Sequence, residues 1–412
     1  MQVEINSGRL ESELEQLASF SDTPAPAVTR IVFGEADLRA RAWLKERCLA
    51  AGLQVREDAV GNAFARWSCN HAGRPAIGTG SHIDAIPNAG RYDGTVGVLG
   101  GLEAIRSLQK TGFVPKRPIE LLLFTSEEPT RFGIGCLGSR LLSGVLDAQK
   151  ASALRDQTGC SLDQLRQAAG FSGPLSSVRF PAGSYAAFIE LHIEQGPLLE
   201  QAGIAVGLVT GIAAPASMRI VVQGEGGHAG AVLMPNRRDA LTAAAEIVLS
   251  VERLALATGA LDTVATTGAC DVFPGAINSI PSRVSLGLDM RDTDLARRDA
   301  LVHAIHEAAA ATASKRRLSL ELELLNADQP ARCDPQILDA LRQSCAEENV
   351  TCMDMVSRAY HDSLFLSRIA PTAMLFIPCR GGVSHRPDEF ASMPDIANGV
   401  RVLARALARL AQ

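Results

Sequence analysis

Residues 78–97 read Gly-Thr-Gly-Ser-His-Ile-Asp-Ala-Ile-Pro-Asn-Ala-Gly-Arg-Tyr-Asp-Gly-Thr-Val-Gly, and this segment sets the pattern for the rest of the chain. The apolar and small residues 76–81 predict a buried strand, followed by a loop with a proline and glycines and then by a helix. His82, Asp84 and Asp93 therefore fall at the carboxyl end of a strand, where open α/β sheets bind their ligands. An imidazole with carboxylates at this position predicts a metal site.

The composition limits the class of protein. A chain of 412 residues is longer than one compact core requires and predicts two domains. The net charge of −5 provides no basic stripe for nucleic acid, and no apolar run is long enough for a transmembrane helix. The N-terminal residues lack a secretory signal, and the nine cysteines are scattered, which favours reduced thiols. We therefore expect a cytoplasmic protein with no nucleic-acid or membrane partner.

The order of predicted elements indicates one domain inserted into another. Apolar runs at 118–125, 186–194 and 372–377 predict further strands of the first sheet, flanked by helices. From about Gly211 the order changes to β-α-β-β-α-β, which forms a small antiparallel sheet with two helices on one face. We predict an α/β catalytic domain, a mixed sheet flanked by helices, from residues 1–211 and 329–412. An α+β, ferredoxin-like domain at 212–328 interrupts it.

Four motifs place polar groups at predicted strand ends. The first contains His82, Asp84 and Asp93, and the others are Phe-Thr-Ser-Glu-Glu-Pro at 124–129, Glu-Leu-His-Ile-Glu-Gln-Gly-Pro at 190–197 and Gly-Gly-Val-Ser-His-Arg-Pro-Asp-Glu at 381–389. Each motif alone also fits a hydrogen-bonded loop histidine or a solvated helix start. Together, three histidines, an aspartate and a glutamate pair form a ligand set for two divalent ions bridged by a carboxylate.

These motifs, in this order, resemble the M20 family of dinuclear metallohydrolases. Within that family they are most similar to the hydantoinase/carbamoylase branch, and the resemblance covers nearly the whole chain. It implies that Asp93 bridges two ions, that Glu127 is the general base, and that Asp84 lies behind His82 and fixes its tautomer. The remaining ligands implied for the two ions are His82 and His192 for one, and Glu128 and His385 for the other.

The resemblance extends to the inserted domain, which in this family is a lid that also forms a homodimer. It implies that Arg291 clamps the substrate carboxylate, and that His228 and Asn278 assist at the scissile carbonyl. For Arg291 considered alone, a salt bridge at a strand end is the ordinary alternative. Gln195 would face the substrate, although a role in capping the backbone is equally consistent with its position.

One departure from the carbamoylase pattern concerns the substrate. Where that branch usually has Ser-Gly-Ala-Gly-His-Asp, residues 357–362 read Ser-Arg-Ala-Tyr-His-Asp. Tyr360 in place of glycine would shrink the pocket and suit a small hydroxy acid, as in ureidoglycolate amidohydrolases. His361 would contact the ligand or, alternatively, cap a helix. His71, His303 and His306 are interpreted as surface residues.

The expected activity is hydrolysis of the ureido C–N bond of a small carboxylate. The resemblance favours ureidoglycolate, in purine and ureide breakdown, with release of ammonia and carbon dioxide. The alternatives are an N-carbamoyl-L-amino acid hydrolase or an allantoate amidohydrolase, and less favoured are an M20 peptidase or a non-catalytic binding protein. Retention of Glu127 argues against the last of these, because a binding protein has no need of a base. The two expected divalent ions are zinc or manganese, and nickel or cobalt would also suit these ligands.

Overall fold

The computed structural model describes residues 3–69 and 73–412, so His71 lies outside the described residues. The chain divides into two compact units. Unit 1 comprises Met1–Thr210, Arg332–Ser357 and His361–Gln412, and unit 2 comprises Gly211–Ala331 and Arg358–Tyr360. The roles predicted for the two domains, catalysis for the first and lid and dimerisation for the second, remain predictions.

Within the described residues, a mixed sheet of nine strands runs through unit 1. Its strands are β2 (Gln54–Glu57), β3 (Ala63–Trp67), β4 (Ala76–His82), β6 (Ile119–Phe124), β7 (Tyr185–Ile193), β8 (Val206–Ile212), β15 (Ala331–Arg332), β16 (Cys352–Ser357) and β17 (Thr372–Ile377). Their order is β15-β8-β17-β7-β4-β6-β3-β2, and β16 pairs with β8. A small separate sheet pairs β1 (Val28–Arg30) with β5 (Ala85–Ala89), where the sequence predicted a loop.

The four central strands place the site. β17, β7, β4 and β6 are neighbours and run parallel, so their carboxyl ends meet at one edge of the sheet. His82 pairs with Phe124 across β4 and β6, and Phe376 pairs with His192 across β17 and β7. The predicted mixed α/β fold is confirmed, and each of the four motifs lies on or after one of these strands.

Helices of unit 1 pack on the sheet, and α3 (Thr95–Lys110) approaches strand β7 closely. A Cβ atom added at Gly97 of α3 would lie 2.3 Å from the backbone oxygen of Leu191 in β7. Glycine therefore lets the helix that follows Asp93 lie directly on the strand that carries His192. The helices are α1 (Ser7–Ser19), α2 (Glu35–Ala50), α3 (Thr95–Lys110), α4 (Leu137–Ser143), α5 (Ala148–Ala153), α6 (Leu162–Ala168), α7 (Leu198–Ala202), α10 (Pro335–Glu347), α11 (Asp362–Leu366) and α12 (Met393–Leu410).

Unit 2 contains the predicted β-α-β-β-α-β order. Its strands β9 (Ala214–Gln223), β11 (Val264–Phe273), β13 (Arg283–Asp292) and β14 (Ser319–Ala327) form an antiparallel sheet in the order β11-β13-β9-β14. Alternate residues of β9 and β13 form one core with α8 (Ala240–Ala257) and α9 (Leu295–Arg316). A separate pair joins β10 (Gly227–His228) to β12 (Ser279–Ile280).

The structure shifts one predicted helix and supports two surface assignments. The sequence pattern of residues 236–253 predicts a long helix there. Helix α8 instead begins at Ala240, because the Asp239 side chain accepts the N–H groups of Leu241 and Thr242 and caps the helix at that point. His303 and His306 on α9 are exposed, as predicted. Among residues 3–69 and 73–412, no helix has both the length and the apolarity needed to cross a membrane.

Candidate metal centre

His82 and His192 lie at the ends of β4 and β7, and both rings are held by backbone carbonyls. His82 Nδ1 lies 3.1 Å from the oxygen of Asp84, and His192 Nδ1 lies 2.9 Å from the oxygen of Ile193. Because a carbonyl only accepts, each Nδ1 carries the hydrogen and each Nε2 presents a lone pair. The two Nε2 atoms lie 3.5 Å and 3.2 Å from Oδ1 of Asp93.

A second group surrounds the other oxygen of Asp93. His385 Nε2 lies 3.3 Å from Asp93 Oδ2 and 3.3 Å from Oε1 of Glu128. In each group of three residues, the candidate ligand atoms lie within 4.8 Å of one another. The two carboxylate oxygens of Asp93 therefore face two different ligand groups, which is the geometry of a bridging carboxylate.

The chemistry of this donor set fits divalent cations. Imidazole lone pairs and carboxylate oxygens are all acceptors, and every residue of this set except His385 is buried, so their convergence requires positive charge between them. Burial alone would lower the pKa of His82, but the carboxylates of Glu127, Asp84 and Asp93 outweigh it and raise that pKa well above its usual value. Burial would raise the pKa of Asp93, yet the surrounding histidines hold it well below its usual range. The centre thus favours bound positive charge.

Two side chains donate to the bridging carboxylate. Gln195 Nε2 and Ser384 Oγ each lie 2.7 Å from Oδ2 of Asp93. Gln195 therefore supports Asp93, a contact that the sequence did not indicate. Its Oε1 is buried and has no hydrogen-bond partner within the described part of the chain. That atom remains available to accept a hydrogen bond from a ligand.

Asp84 has a further role beside the one predicted. Its backbone oxygen, and not its carboxylate, lies within hydrogen-bonding distance of His82 Nδ1, since the carboxylate is 3.6 Å away. The carboxylate instead accepts the backbone N–H groups of Glu127 at 3.2 Å and Glu128 at 3.0 Å. Asp84 therefore fixes both His82, through its main chain, and the glutamate pair, through its side chain. This link depends on the pairing of β4 with β6, which single motifs do not reveal.

Glu127 lies beside the first ligand group. Its Oε2 is 3.8 Å from His82 Nε2, and its Oε1 accepts a hydrogen bond from the thiol of Cys136 at 3.4 Å. Burial raises the pKa of Glu127 well above its usual value, with Glu128, Asp362 and Asp84 adding to the effect and His82 opposing it. A carboxyl group with a raised pKa next to a ligand cluster suits proton transfer near neutral pH.

His361 packs against the centre rather than capping a helix. It precedes α11, but its side chain makes no capping hydrogen bond there. Its ring centroid lies 4.5 Å from that of His192, and its Nε2 lies 3.1 Å from Ser357 Oγ. His361, His192 and Glu190 also come close enough to hold an ion. The Glu190 oxygens, however, already accept the Ser81 hydroxyl and the N–H and hydroxyl of Ser363, so we interpret this group as structural.

The other predicted residues belong to unit 2. His228 pairs with Ser279 across β10 and β12, both His228 and Asn278 are exposed, and His228 Nδ1 accepts the N–H of Gly230 at 3.0 Å. Arg291 Nε lies 2.7 Å from Oδ1 of Asp289, and its guanidinium lies 5.4 Å from the ring centroid of Tyr360. The structure thus brings Arg291 and Tyr360 together. It also forms the strand-end salt bridge that was the alternative for Arg291.

Sequence analysis assigned no role to Glu389, the last residue of the fourth motif. Its Oε1 accepts the backbone N–H groups of Tyr92 at 2.8 Å and Asp93 at 3.1 Å, and Ser384 Oγ lies 2.9 Å from its Oε2. Burial and the charge of Asp93 raise the pKa of Glu389 to about 7. The only sequence feature that could have indicated a role for Glu389 is its position four residues after His385.

Comparison with known proteins agrees with this geometry. A family model described as peptidase family M20/M25/M40 matches residues 78–409. The chain belongs to this family. The resemblance to its amidohydrolase branch, predicted from the motifs, is likewise confirmed by the relatives of this M20 chain.

Two curated relatives and one solved structure illustrate the relationship. Ureidoglycolate hydrolase of Arabidopsis thaliana is 50% identical over 98% of this M20 chain and 87% of its own length. N-carbamoyl-L-amino-acid amidohydrolase of Pseudomonas sp. (strain NS671) is 35% identical over 97% of each chain. A crystal structure of AtUAH in complex with glyoxylate superposes with a TM-score of 0.90 at 49% identity, over 99% of this chain and 98% of that one.

The contacts of Asp84 lead to a prediction for Asp84→Asn. The amide would turn an N–H donor towards one of the backbone N–H groups of Glu127 and Glu128, leaving it without an acceptor and displacing Glu128. We expect roughly 10- to 100-fold weaker binding of Mn²⁺ or Zn²⁺ in competition with a chelator. Asp388→Asn is the matched control, because Asp388 is exposed and pairs only with Arg386 among the contacts found. Unchanged metal affinity would show that the Asp84 carboxylate does not position the glutamate pair.

Proposed function

We propose that this M20 chain is a metal-dependent amidohydrolase that cleaves the ureido C–N bond of ureidoglycolate and releases ammonia and carbon dioxide. The observation that carries the proposal is the Asp93 carboxylate, whose two oxygens face separate ligand groups beside the buried Glu127. The identity of 50% with a ureidoglycolate hydrolase supports the substrate. Glyoxylate, bound in the solved relative, has the carbon skeleton that remains when ureidoglycolate loses its ureido group.

We propose two divalent ions, one held by His82, Asp93 and His192 and the other by Asp93, Glu128 and His385. Such ions supply Lewis acidity, which lowers the pKa of a water molecule and polarises the ureido carbonyl. Zinc or manganese is the first choice, and nickel or cobalt would suit the same ligands. Within this site Glu127 takes a proton from the attacking water and then donates it to the leaving nitrogen.

The residues of unit 2 are proposed to bind substrate. His228 Nδ1 accepts the Gly230 N–H, so its Nε2 carries the hydrogen of the neutral ring and can donate to a developing oxyanion. Arg291 is proposed to bind the substrate carboxylate, and Asn278 to bind at the scissile carbonyl. For unit 1, His361 is proposed to contact the ligand, and the unpartnered Oε1 of Gln195 to accept an N–H of the ureido group.

We further propose a homodimer formed through unit 2. Helix α8 exposes Leu249 and Leu256, of which 65% and 76% respectively are accessible, and β11 is an edge strand with one unpaired side. Exposed leucines beside an open strand edge favour association with another chain. His228 would then act within its own subunit or across to its partner. Light scattering of the purified chain measures this directly, and a monomer would contradict the proposal.

Other hydrolytic activities would use the same proposed metal centre. An N-carbamoyl-L-amino acid or allantoate would need the same ions, base and carboxylate clamp. We expect these substrates to differ in how they tolerate Tyr360, which replaces the glycine usual in the carbamoylase motif. A peptidase and a binding protein are less favoured. The two curated relatives described above act, by their names, on ureidoglycolate and on N-carbamoyl-L-amino acids, and the raised pKa of Glu127 suits a base.

The role of Glu127 is tested with Glu127→Gln. Glutamine keeps the shape of the side chain but cannot take a proton, so kcat should fall by roughly 10²- to 10⁴-fold. The metal content, measured by elemental analysis, should stay unchanged, because Glu128 and not Glu127 is the proposed ligand. Glu46→Gln, at an exposed site on α2, is the control. Normal turnover by Glu127→Gln would remove Glu127 as the base.

The substrate is tested by ammonia release from metal-stripped protein restored with Mn²⁺ or Zn²⁺. The panel comprises ureidoglycolate, allantoate, N-carbamoyl-L-amino acids and N-carbamoyl-β-alanine. We expect metal-dependent turnover with kcat/KM highest for ureidoglycolate. A preference for a carbamoyl amino acid would support the amidohydrolase activity but contradict ureidoglycolate as the substrate. No turnover of any compound would overturn the proposed amidohydrolase activity.

The carboxylate clamp is tested with Arg291→Lys. A lysine cannot form the two parallel hydrogen bonds of a guanidinium, and the loss of one charged hydrogen bond is expected to raise KM roughly 10- to 100-fold. Arg219→Lys is the matched control, because Arg219 is exposed on β9 and pairs with Glu323. A KM equal to that of the wild type would place the carboxylate elsewhere.

A further inference from the structure

We propose that Glu389 is a positioning residue that holds Asp93 between the two ion sites. The inference rests on the two-ion centre of the proposed function and extends it to a residue that is not itself a ligand. It starts from a difference in rigidity between the proposed ligands. His82 and His192 lie on the central strands β4 and β7, whereas Asp93, Glu128 and His385 lie in loops. The Asp84 carboxylate accepts the backbone N–H of Glu128, so the contacts that fix Asp93 and His385 remain to be identified.

Glu389 binds the main chain at Asp93. Its side chain is buried, with 4% of the residue exposed, and Oε1 accepts the N–H groups of both Tyr92 and Asp93. Two hydrogen bonds to one carboxylate oxygen restrict the rotation of this short stretch of backbone. They fix the point from which the Asp93 side chain extends towards its neighbours.

Ser384 extends the same network to the Asp93 side chain. Its hydroxyl oxygen lies 2.9 Å from Glu389 Oε2 and 2.7 Å from Asp93 Oδ2. Ser384 directly precedes His385, which is 3.3 Å from the same Oδ2 atom. Glu389 therefore contacts the main chain of Asp93 directly. Through Ser384 it also reaches the Asp93 carboxylate and the segment that carries His385.

Gly90 provides independent support for this role. A Cβ atom at Gly90 would lie 2.3 Å from Cβ and 2.4 Å from Oε1 of Glu389. Gly90 does not have a positive φ, so the requirement for glycine comes from the space that Glu389 fills and not from the backbone conformation. The metal-binding loop is thus shaped to receive this carboxylate.

The negative charge of Glu389 next to Asp93 also supports bound cations at this centre. A carboxylate buried next to Asp93 repels it, and burial of such a pair is costly unless cations complete it. The contacts found for Glu389 are to N–H and hydroxyl groups, without a basic side chain among them. Divalent ions on Asp93 would supply the missing positive charge.

The test measures the binding of Mn²⁺ by electron paramagnetic resonance, because two ions bridged by one carboxylate are magnetically coupled and a single ion is not. The wild-type chain should bind two coupled Mn²⁺ ions. Glu389→Ala removes the carboxylate, and Gly90→Ala displaces it because the new methyl group occupies its space. Both variants should lose the coupled signal. Their affinity for Mn²⁺ should fall roughly 10- to 100-fold.

Two further variants separate positioning from general stability. Glu389→Gln keeps an oxygen for both backbone N–H groups and an amide towards Ser384, so it should retain the coupled pair. Asp388→Ala removes the adjacent exposed acid and should behave as wild type. Thermal unfolding of the metal-free proteins checks that the variants are folded. If Glu389→Ala does not fold, Ser384→Ala, which removes only the hydroxyl, should still lower Mn²⁺ affinity, and unchanged affinity there overturns the proposal.

The outcomes distinguish this inference from the proposed function. Wild-type protein that binds no Mn²⁺, or a single uncoupled ion, overturns the two-ion centre and the role of Glu389 with it. A coupled pair in the wild type that persists at full affinity in Glu389→Ala overturns the role of Glu389 alone. Loss of the pair in Glu389→Gln as well would show that the hydrogen bonds do not carry the effect, and would also overturn the proposal.

Discussion

The carboxylate of Asp93 lies between two groups of imidazole and carboxylate side chains, and the local architecture depends on keeping it there. One oxygen faces His82 and His192, and the other faces His385. Four parallel strands bring these groups together because their carboxyl ends share one edge of the sheet. The close contact of α3 with β7 then holds the helix that follows Asp93 against that edge.

The centre also concentrates acidic groups, and each must be compensated. Asp84 and Glu190 accept hydrogen bonds from backbone or hydroxyl donors. For Asp362, burial and the nearby Glu190 raise the pKa to about 8, which favours the neutral form of this group. Glu127 is compensated less, with a weak thiol donor at one oxygen. The surplus of acceptors at the strand ends is what makes the edge a site for cations and for proton transfer.

The recurrence of apolar residues along the sequence predicted most of the fold. The central strands appear within a few residues of their predicted bounds, because runs of apolar residues indicate buried segments directly. The short helices α4, α5 and α6 were missed, since six or seven residues carry too little periodicity. The start of α8 was misplaced because its cap, Asp239, decides it locally.

The residues of the candidate site also differ in whether the sequence could predict them. The five proposed ligands could be recognised because each lies at the end of a buried strand or in the loop that follows one, and each matches a motif. The carboxylate of Asp84 and the contacts of Glu389 could not, because they depend on which loops meet after folding. A salt bridge at a strand end was the alternative considered for Arg291 alone, and the structure contains one, with Asp289 as the partner.

The backbone carbonyls that hold His82 and His192 have a genetic consequence. Every amino acid carries a carbonyl oxygen, so substitutions at positions 84 and 193 change side chains while leaving the acceptor of each Nδ1 hydrogen in the chain. The acceptor of each Nδ1 hydrogen therefore persists whatever side chain stands at these two positions. At position 84, a substitution would act on the centre through the lost carboxylate and not through the contact that orients the His82 ring.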